Sequence, residues 1–316
     1  MRQVQKCQES GELEAVQVLR PQNVTKKMNE KKVGPLVTSV WLNENRDRCV
    51  VLEACWASDA SYLRGHIPGA VFLDTDSLET PSPMWYLCPE EELCRVLGDH
   101  GVGEAEFVCI YGSTETIAAA RVWWICQMIG SASTPLILDG GAKAWKRSGF
   151  ALETAANPPK KARFVTRGVR RDMLASLADV QSGLFTIADC RSRAEFCGQT
   201  SGYAYLQEKG RIPGSIFVED AAGPSYQNED GTLVDPDEVQ SLWKARGIGD
   251  DERKVVFYCG SGWRSSLCCL FATILNMEAA NYSDGWSGYS TVFEKIGEEW
   301  TQKKSGYPVV VDPVDE

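Results

Sequence analysis

A stretch of ten residues occurs twice in this chain, and that duplication limits its fold more than any other feature. Gly65-His66-Ile67-Pro68-Gly69-Ala70-Val71-Phe72-Leu73-Asp74 returns as Gly210-Arg211-Ile212-Pro213-Gly214-Ser215-Ile216-Phe217-Val218-Glu219, at a spacing of 145 residues. Downstream, Phe107-Val108-Cys109-Ile110-Tyr111-Gly112-Ser113 is matched by Val255-Val256-Phe257-Tyr258-Cys259-Gly260-Ser261, allowing a shift of a residue or two. Asp139-Gly140-Gly141 with Ala144-Trp145 is then answered by Asp284-Gly285-Trp286 with Gly288-Tyr289. Matches in the same order make the chain a duplicated domain, and 316 residues is a length that suits two.

The expected divisions are a tail over 1–32, a first copy over 33–152, a linker over 153–164, a second copy over 165–302 and a tail over 303–316. The linker is marked by Ala155-Ala156-Asn157-Pro158-Pro159-Lys160-Lys161, a polar run that breaks regular structure. Apolar runs at Cys49–Glu53, Phe107–Tyr111, Pro135–Leu138, Phe185–Ala188 and Val255–Tyr258 read as buried strands, and Ala118–Ile129 and Ser265–Leu275 as helices. Continuous apolar strands alternating with helices predict an α/β fold, each copy a mainly parallel sheet flanked by helices.

Composition removes several classes of function. A net charge of −10, from 33 basic and 43 acidic residues, disfavours nucleic acid and anionic membranes as partners. No run of 18 apolar residues is present, and Met1–Glu14 lacks an apolar signal core, so a cytoplasmic protein is expected. The twelve cysteines are scattered without paired Cys-x2-Cys spacing, which points to reduced thiols and not to a metal site or a disulfide scaffold. No metal or organic cofactor is expected.

Chemistry concentrates at the end of one strand. Val255-Val256-Phe257-Tyr258 runs into Cys259, followed by Gly260-Ser261-Gly262-Trp263-Arg264 and a helix from Ser265. Loop amides and a helix N-terminus converging on one point stabilise an anion, and such a field favours the reactive thiolate. Arg264 adds a fixed positive charge. The duplicate serves as an internal control: on the alignment above, Tyr111 stands where the second copy has Cys259, so the scaffold itself does not require cysteine there. Cys259 is therefore the expected nucleophile, with Gly260, Ser261, Gly262, Trp263, Arg264 and Ser265 as its cradle.

These elements resemble the two-domain rhodanese-like sulfurtransferases. The resemblance covers residues 35–300 and rests on the tandem Gly-x-Ile-Pro-Gly motifs, Asp189-Cys190-Arg191, the Asp-Gly-Gly and Asp-Gly-Trp elements and the Cys259 loop. It implies that only the C-terminal domain is catalytic. It further implies that the cysteine takes a sulfane sulfur from thiosulfate or 3-mercaptopyruvate as a persulfide and passes it to cyanide or a thiol, including that of thioredoxin or a sulfur-relay protein. Phosphatases built on the same fold use Cys-x5-Arg, whereas Arg264 lies at Cys-x4-Arg, a smaller loop. A non-catalytic rhodanese-like module is the other alternative, and an intact cysteine loop argues against it.

The donor is less clear from the motifs. Cys-Gly-Ser-Gly is similar to the mercaptopyruvate branch, yet Glu195 and Ala204 stand where that branch carries the arginines that grip the substrate carboxylate. Arg264 is the expected substitute. Of that branch's Ser-His-Asp relay, Ser261 and Asp76 match, while the histidine position falls at Tyr86. The Gly-Trp-Arg element together with Thr200-Ser201-Gly202-Tyr203-Ala204-Tyr205 resembles a bacterial subgroup of the family. Asp189 and Arg191 are expected to support the site, Asp189 by tying down neighbouring amides. His66 is read as a turn residue, Asp139 and Asp284 as helix caps, Cys268 and Cys269 as buried behind the loop, and Trp123, Trp124, Trp145, Trp286 and Trp300 as packing residues.

Overall fold

A computed structural model describes residues 34–312 apart from 57, 82, 83, 104, 113, 114 and 250–252. The segments expected as a tail at 1–32 and at the extreme C-terminus, 313–316, lie outside the described residues.

The first copy runs β1 (Leu36–Val37), α1 (Ser39–Asn45), β2 (Cys49–Cys55), α2 (Ala60–Arg64), β3 (Val71–Asp74), α3 (Glu90–Asp99), β4 (Phe107–Gly112), α4 (Thr116–Met128), β5 (Thr134–Leu138) and α5 (Gly141–Arg147). Its strands pair in parallel in the order β1-β5-β4-β2-β3. The second copy runs α6 (Leu177–Gln181), β6 (Thr186–Asp189), α7 (Arg193–Phe196), β7 (Ile216–Phe217), α8 (Pro236–Ala245), β8 (Val255–Tyr258), α9 (Trp263–Ile274), β9 (Ala279–Asn281) and α10 (Gly285–Ser290). It repeats the arrangement as a parallel sheet, β7-β6-β8-β9. A single parallel bridge from Leu174 to Asn281 stands where the first copy has β1. The α/β reading holds, and strands buried on both faces, such as Val255–Tyr258, are why they read as unbroken apolar runs.

The copies meet through their central helices. α4 is buried on nearly every side, from Ile117 to Met128, because it lies between its own sheet and α9. Leu52, Ile110, Trp124 and Ile125 of the first copy share one continuous core with Phe257, Leu267 and Phe271 of the second. The outer face of each sheet has its own cluster, around Trp145 in one copy and Trp286 in the other.

Several sequence expectations change. The second copy does not end at 302: β10 (Thr291–Ile296) and β11 (Glu299–Lys304) form an antiparallel hairpin, and Val310 then exchanges backbone hydrogen bonds with Arg211. Residues 303–312 are thus packed structure. Trp300 is 39% exposed on that hairpin, unlike the four buried tryptophans expected with it. Neither Asp139 nor Asp284 caps a helix with its side chain; Asp139 Oδ1 instead accepts from the Leu233 amide of the other copy at 2.8 Å. His66 is buried, stacked on Tyr62 at 3.7 Å between ring centroids, with Nδ1 2.8 Å from the Tyr62 carbonyl.

Candidate functional site

Cys259 follows the last residue of β8, and α9 begins four residues later. Gly262, the residue before the helix, has φ of 84°, a left-handed conformation that glycine adopts without strain, and no side chain caps the helix. The first amides of α9 therefore have no side-chain acceptor at its N-cap. Gly260 is required by close approach: a Cβ there would lie 2.0 Å from the Tyr203 hydroxyl oxygen. Tyr203 thereby closes over the loop, and Cys259 is only 1% exposed.

The loop carbonyls are turned away from the sulfur by named donors. The Cys259 carbonyl accepts from the Trp286 amide at 2.7 Å and the Gly260 carbonyl from the Ser287 amide at 2.9 Å. That of Gly262 accepts from Asn281 Nδ2 at 2.9 Å, Ser266 Oγ at 2.7 Å and Arg121 Nη1 at 3.3 Å. The Ser265 hydroxyl lies 3.5 Å from Cys259 Sγ while donating to Asn281 Oδ1 at 2.7 Å.

Arg264 lies on the wall of the site, but its charge is already engaged. Its guanidinium holds Glu195 in a two-point pair at 2.8 and 2.9 Å and also reaches Asp220 at 3.2 Å and the Tyr203 hydroxyl at 2.9 Å. Burial opposes ionisation of Glu195, yet the hydrogen bonds and charge of Arg264 hold its carboxyl below the usual carboxylate range. Glu195 stands at a position where the resemblance suggested a substrate-binding arginine, and here it occupies the arginine that was to replace it.

Asp189 and Arg191 form a buried pair at 2.7 Å behind the loop. Asp189 also accepts from the Arg191 amide at 3.0 Å and from the Tyr258 hydroxyl at 2.5 Å, and Arg191 Nη2 donates to the Gly210 carbonyl at 2.8 Å. Together they tie β6, β8 and the Gly-x-Ile-Pro-Gly turn to one another. Cys268 and Cys269 are buried on α9. Cys190 Sγ contacts the Tyr258 carbonyl, and burial raises its pKa well above that of an ordinary thiol.

A cavity of 430 Å³ opens onto the loop, and both copies build it. The second copy contributes Ser261, Trp263 and Arg264 from the loop with Tyr203 and Tyr205; the first contributes Trp56, Asp76, Glu79 and Trp85. Burial raises the Tyr205 hydroxyl to about 12. Arg121 on α4 joins the halves. Fully buried, it donates to Glu79 Oε1 at 2.8 and 2.9 Å, to Ser283 Oγ at 3.0 Å and, as above, to the Gly262 carbonyl. Sequence reasoning missed Trp56, Glu79, Trp85 and Arg121. One signal was available: a lone arginine inside an otherwise apolar helix needs a buried partner.

The geometry also corrects the alignment of the copies. Tyr111 pairs in register with Glu53 and donates to its carboxylate at 2.5 Å, while the Ile67 amide donates to the Tyr111 hydroxyl at 3.1 Å. Tyr258 stands in register with Asp189 and makes the corresponding bonds to Asp189 and the Ile212 amide. Tyr111 is therefore the counterpart of Tyr258, and Gly112 that of Cys259. A one-residue slip would have sent the phenol to the wrong face of the sheet.

The Rhodanese-like domain family matches residues 38–148 and 172–291, one stretch in each copy. The chain belongs to this family. Its curated relatives include the thiosulfate sulfurtransferase YnjE of Escherichia coli, 33% identical over 253 residues, 76% of this chain and 57% of that protein. The chain thus spans little more than half the length of YnjE. The 3-mercaptopyruvate sulfurtransferase of Escherichia coli is 27% identical over 264 residues, covering 78% of this chain and 92% of its own. Among solved structures, that of YnjE superposes with a TM-score of 0.75 at 28% identity, covering 89% of this chain and 69% of that one. That of EanB superposes with a TM-score of 0.74 at 29% identity, covering 81% and 67%. The relatives named for an activity transfer sulfur, which supports an enzyme of that class here. Among the described residues no His, Cys, Asp and Glu side chains are grouped to hold a metal ion, and no helix is long and apolar enough to cross a membrane.

Proposed function

We propose that the chain is a sulfurtransferase in which Cys259 carries the sulfur as a persulfide. One observation carries this reading: Cys259 sits before a helix with no side-chain cap, in a loop whose carbonyl oxygens are held outward by Trp286, Ser287, Asn281, Ser266 and Arg121. With the carbonyls drawn away, the amides from Gly260 to Ser265 are the dipoles left to stabilise negative charge at the sulfur.

The thiolate attacks the sulfane sulfur of thiosulfate or 3-mercaptopyruvate. The donor's S–S or C–S bond breaks, sulfite or pyruvate enolate leaves with the bonding electrons, and Cys259–S–S⁻ remains. A thiol or cyanide then removes the outer sulfur and restores the thiolate, a covalent two-step cycle. Loop amides act as an oxyanion hole does, where losing one donor costs about 100–1,000-fold. The second copy carries the nucleophile, and the first supplies half of the cavity wall and, through Arg121, a brace for the loop. Arg264 then serves as a positioning group, holding Tyr203 and Glu195 around the cavity.

The test is intact-mass measurement after incubation with each donor. The expected result is gain of one sulfur atom that disappears in Cys259→Ser. A gain that persists in Cys259→Ser, or none with either donor, overturns the assignment.

A further inference from the structure

The cavity in front of the loop has a chemistry of its own. Its walls are dominated by aromatic rings, those of Trp56, Trp85, Trp263, Tyr203 and Tyr205. Trp56 is 61% exposed at the rim, an unusual position for so large an apolar surface. Trp85 is held at φ of 52°, a left-handed backbone that bulky residues rarely adopt and that clusters at ligand clamps.

Two carboxylates enter this aromatic enclosure with oxygens left over. Glu79 gives Oε1 to Arg121, while its Oε2 is buried with no hydrogen-bond partner. Asp76 Oδ1 is likewise buried without one. Burial raises the pKa of both, for Glu79 in spite of Arg121 beside it and for Asp76 with added repulsion from Asp74. Positive charge is lacking there. Arg264 is matched by Glu195 and Asp220, and Arg121 by Glu79, so the site and its immediate shell hold two cations against four carboxylates. Aromatic faces together with unpaired carboxylates are what an organic cation requires.

We propose that this cavity binds a small organic cation, an ammonium or quaternary ammonium group carried by the sulfur acceptor, seated among Trp56, Trp85 and Asp76. The inference rests on the sulfurtransferase reading only in calling that cation the acceptor. For a cationic thiol, the thiolate R–S⁻ attacks the outer sulfur of Cys259–S–SH. The S–S bond to Cys259 breaks with its electron pair remaining on Cys259, and R–S–SH departs with the proton that the outer sulfur carried.

Binding is tested apart from turnover. Choline and its neutral isostere 3,3-dimethylbutan-1-ol have nearly the same shape, so their difference in affinity reads charge alone. Both are titrated against the full chain and against Cys259→Ser, following tryptophan fluorescence. Choline is expected to bind about tenfold or more tightly than the alcohol in both proteins. Asp76→Asn and Trp85→Leu should each remove most of that preference, with circular dichroism reporting that the variants are folded. Equal affinities for choline and the alcohol, or a preference unchanged in both variants, overturn the proposal. Turnover of the persulfide with thiocholine and with 2-mercaptoethanol, at equal thiolate concentration, then tests the acceptor role. A cation preference in binding but not in turnover would overturn that role. Absence of a persulfide would count against the sulfurtransferase reading and leave the binding result standing.

Discussion

In the first copy the tyrosine near the end of the central strand, Tyr111, donates to Glu53 and accepts from the Ile67 amide. In the second, Tyr258 does the same with Asp189 and Ile212. One residue further on the copies part. At Gly112 a side chain has no room, since a Cβ there would lie 1.8 Å from the Glu115 carbonyl oxygen. At Cys259 the carbonyls nearby are drawn off by amides of α10, by Asn281 and by Arg121. A nucleophilic site on this scaffold therefore needs more than a cysteine. It needs a loop whose carbonyl dipoles have partners elsewhere, and here one of those partners comes from the other copy.

Removing that partner should have the largest effect. Arg121→Met leaves Glu79 buried without its counter-ion, and breaking a buried pair this way costs about 3–5 kcal/mol. Urea unfolding should show the loss, and persulfide formation should slow in whatever fraction remains folded. Arg121→Lys, which keeps the charge but not the fork of donors, should restore part of the stability and less of the rate. A normal rate in Arg121→Met would mean the second copy sets its loop unaided.

The reverse graft sharpens the same contrast. Gly112→Cys placed in Cys259→Ser is expected to gain no sulfur from either donor by intact mass, and to lose about 1–3 kcal/mol through overpacking against Glu115. A persulfide on residue 112 would show that the two loops are interchangeable.

Smaller effects come from the paired tyrosines. Tyr111→Phe and Tyr258→Phe each remove a hydroxyl held between a buried carboxylate and a backbone amide, at a cost of about 1–3 kcal/mol. Only Tyr258→Phe should also slow sulfur transfer, because Tyr258 immediately precedes Cys259. Equal rates in the two variants would separate the tyrosine from the loop.

The smallest effect concerns the cavity wall. Folding raises the Asp76 pKa, through burial and then Asp74, so its ionised form weakens the fold at neutral pH. Asp76→Asn should raise the melting temperature on the order of 1 °C, since the group is partly exposed. The gain should fade as pH falls below about 4, where the carboxyl is protonated in both folded and unfolded chains. A gain that persists at acid pH would assign it to packing instead of charge.

The duplication, the α/β class and the Cys259 loop could all be read from the chain alone, because each is a local pattern. Repeated motifs, apolar runs with the burial of parallel strands and a strand–loop–helix junction lie within a few consecutive residues. The helix read as Ala118–Ile129 forms as Thr116–Met128, and Ser265–Leu275 as Trp263–Ile274. The match of Tyr111 to Cys259 failed by one residue, since only the phenol hydrogen bonds set the register. The C-terminal segment looked like a tail because nothing in its composition shows that Val310 will find Arg211.

What tertiary structure alone decided is the environment of the sulfur. Packing of α4 on α9 brings Glu79 and Arg121 to a loop more than a hundred residues away, and no period in the sequence encodes that meeting. The same packing joins Trp56, Asp76 and Trp85 to Tyr203 and Trp263 across one cavity. It also gives Arg264 to Glu195, so a charge that looked available for substrate is already neutralised. Sequence locates a nucleophile because backbone geometry is local; the charge balance around it depends on which distant side chains the core brings together.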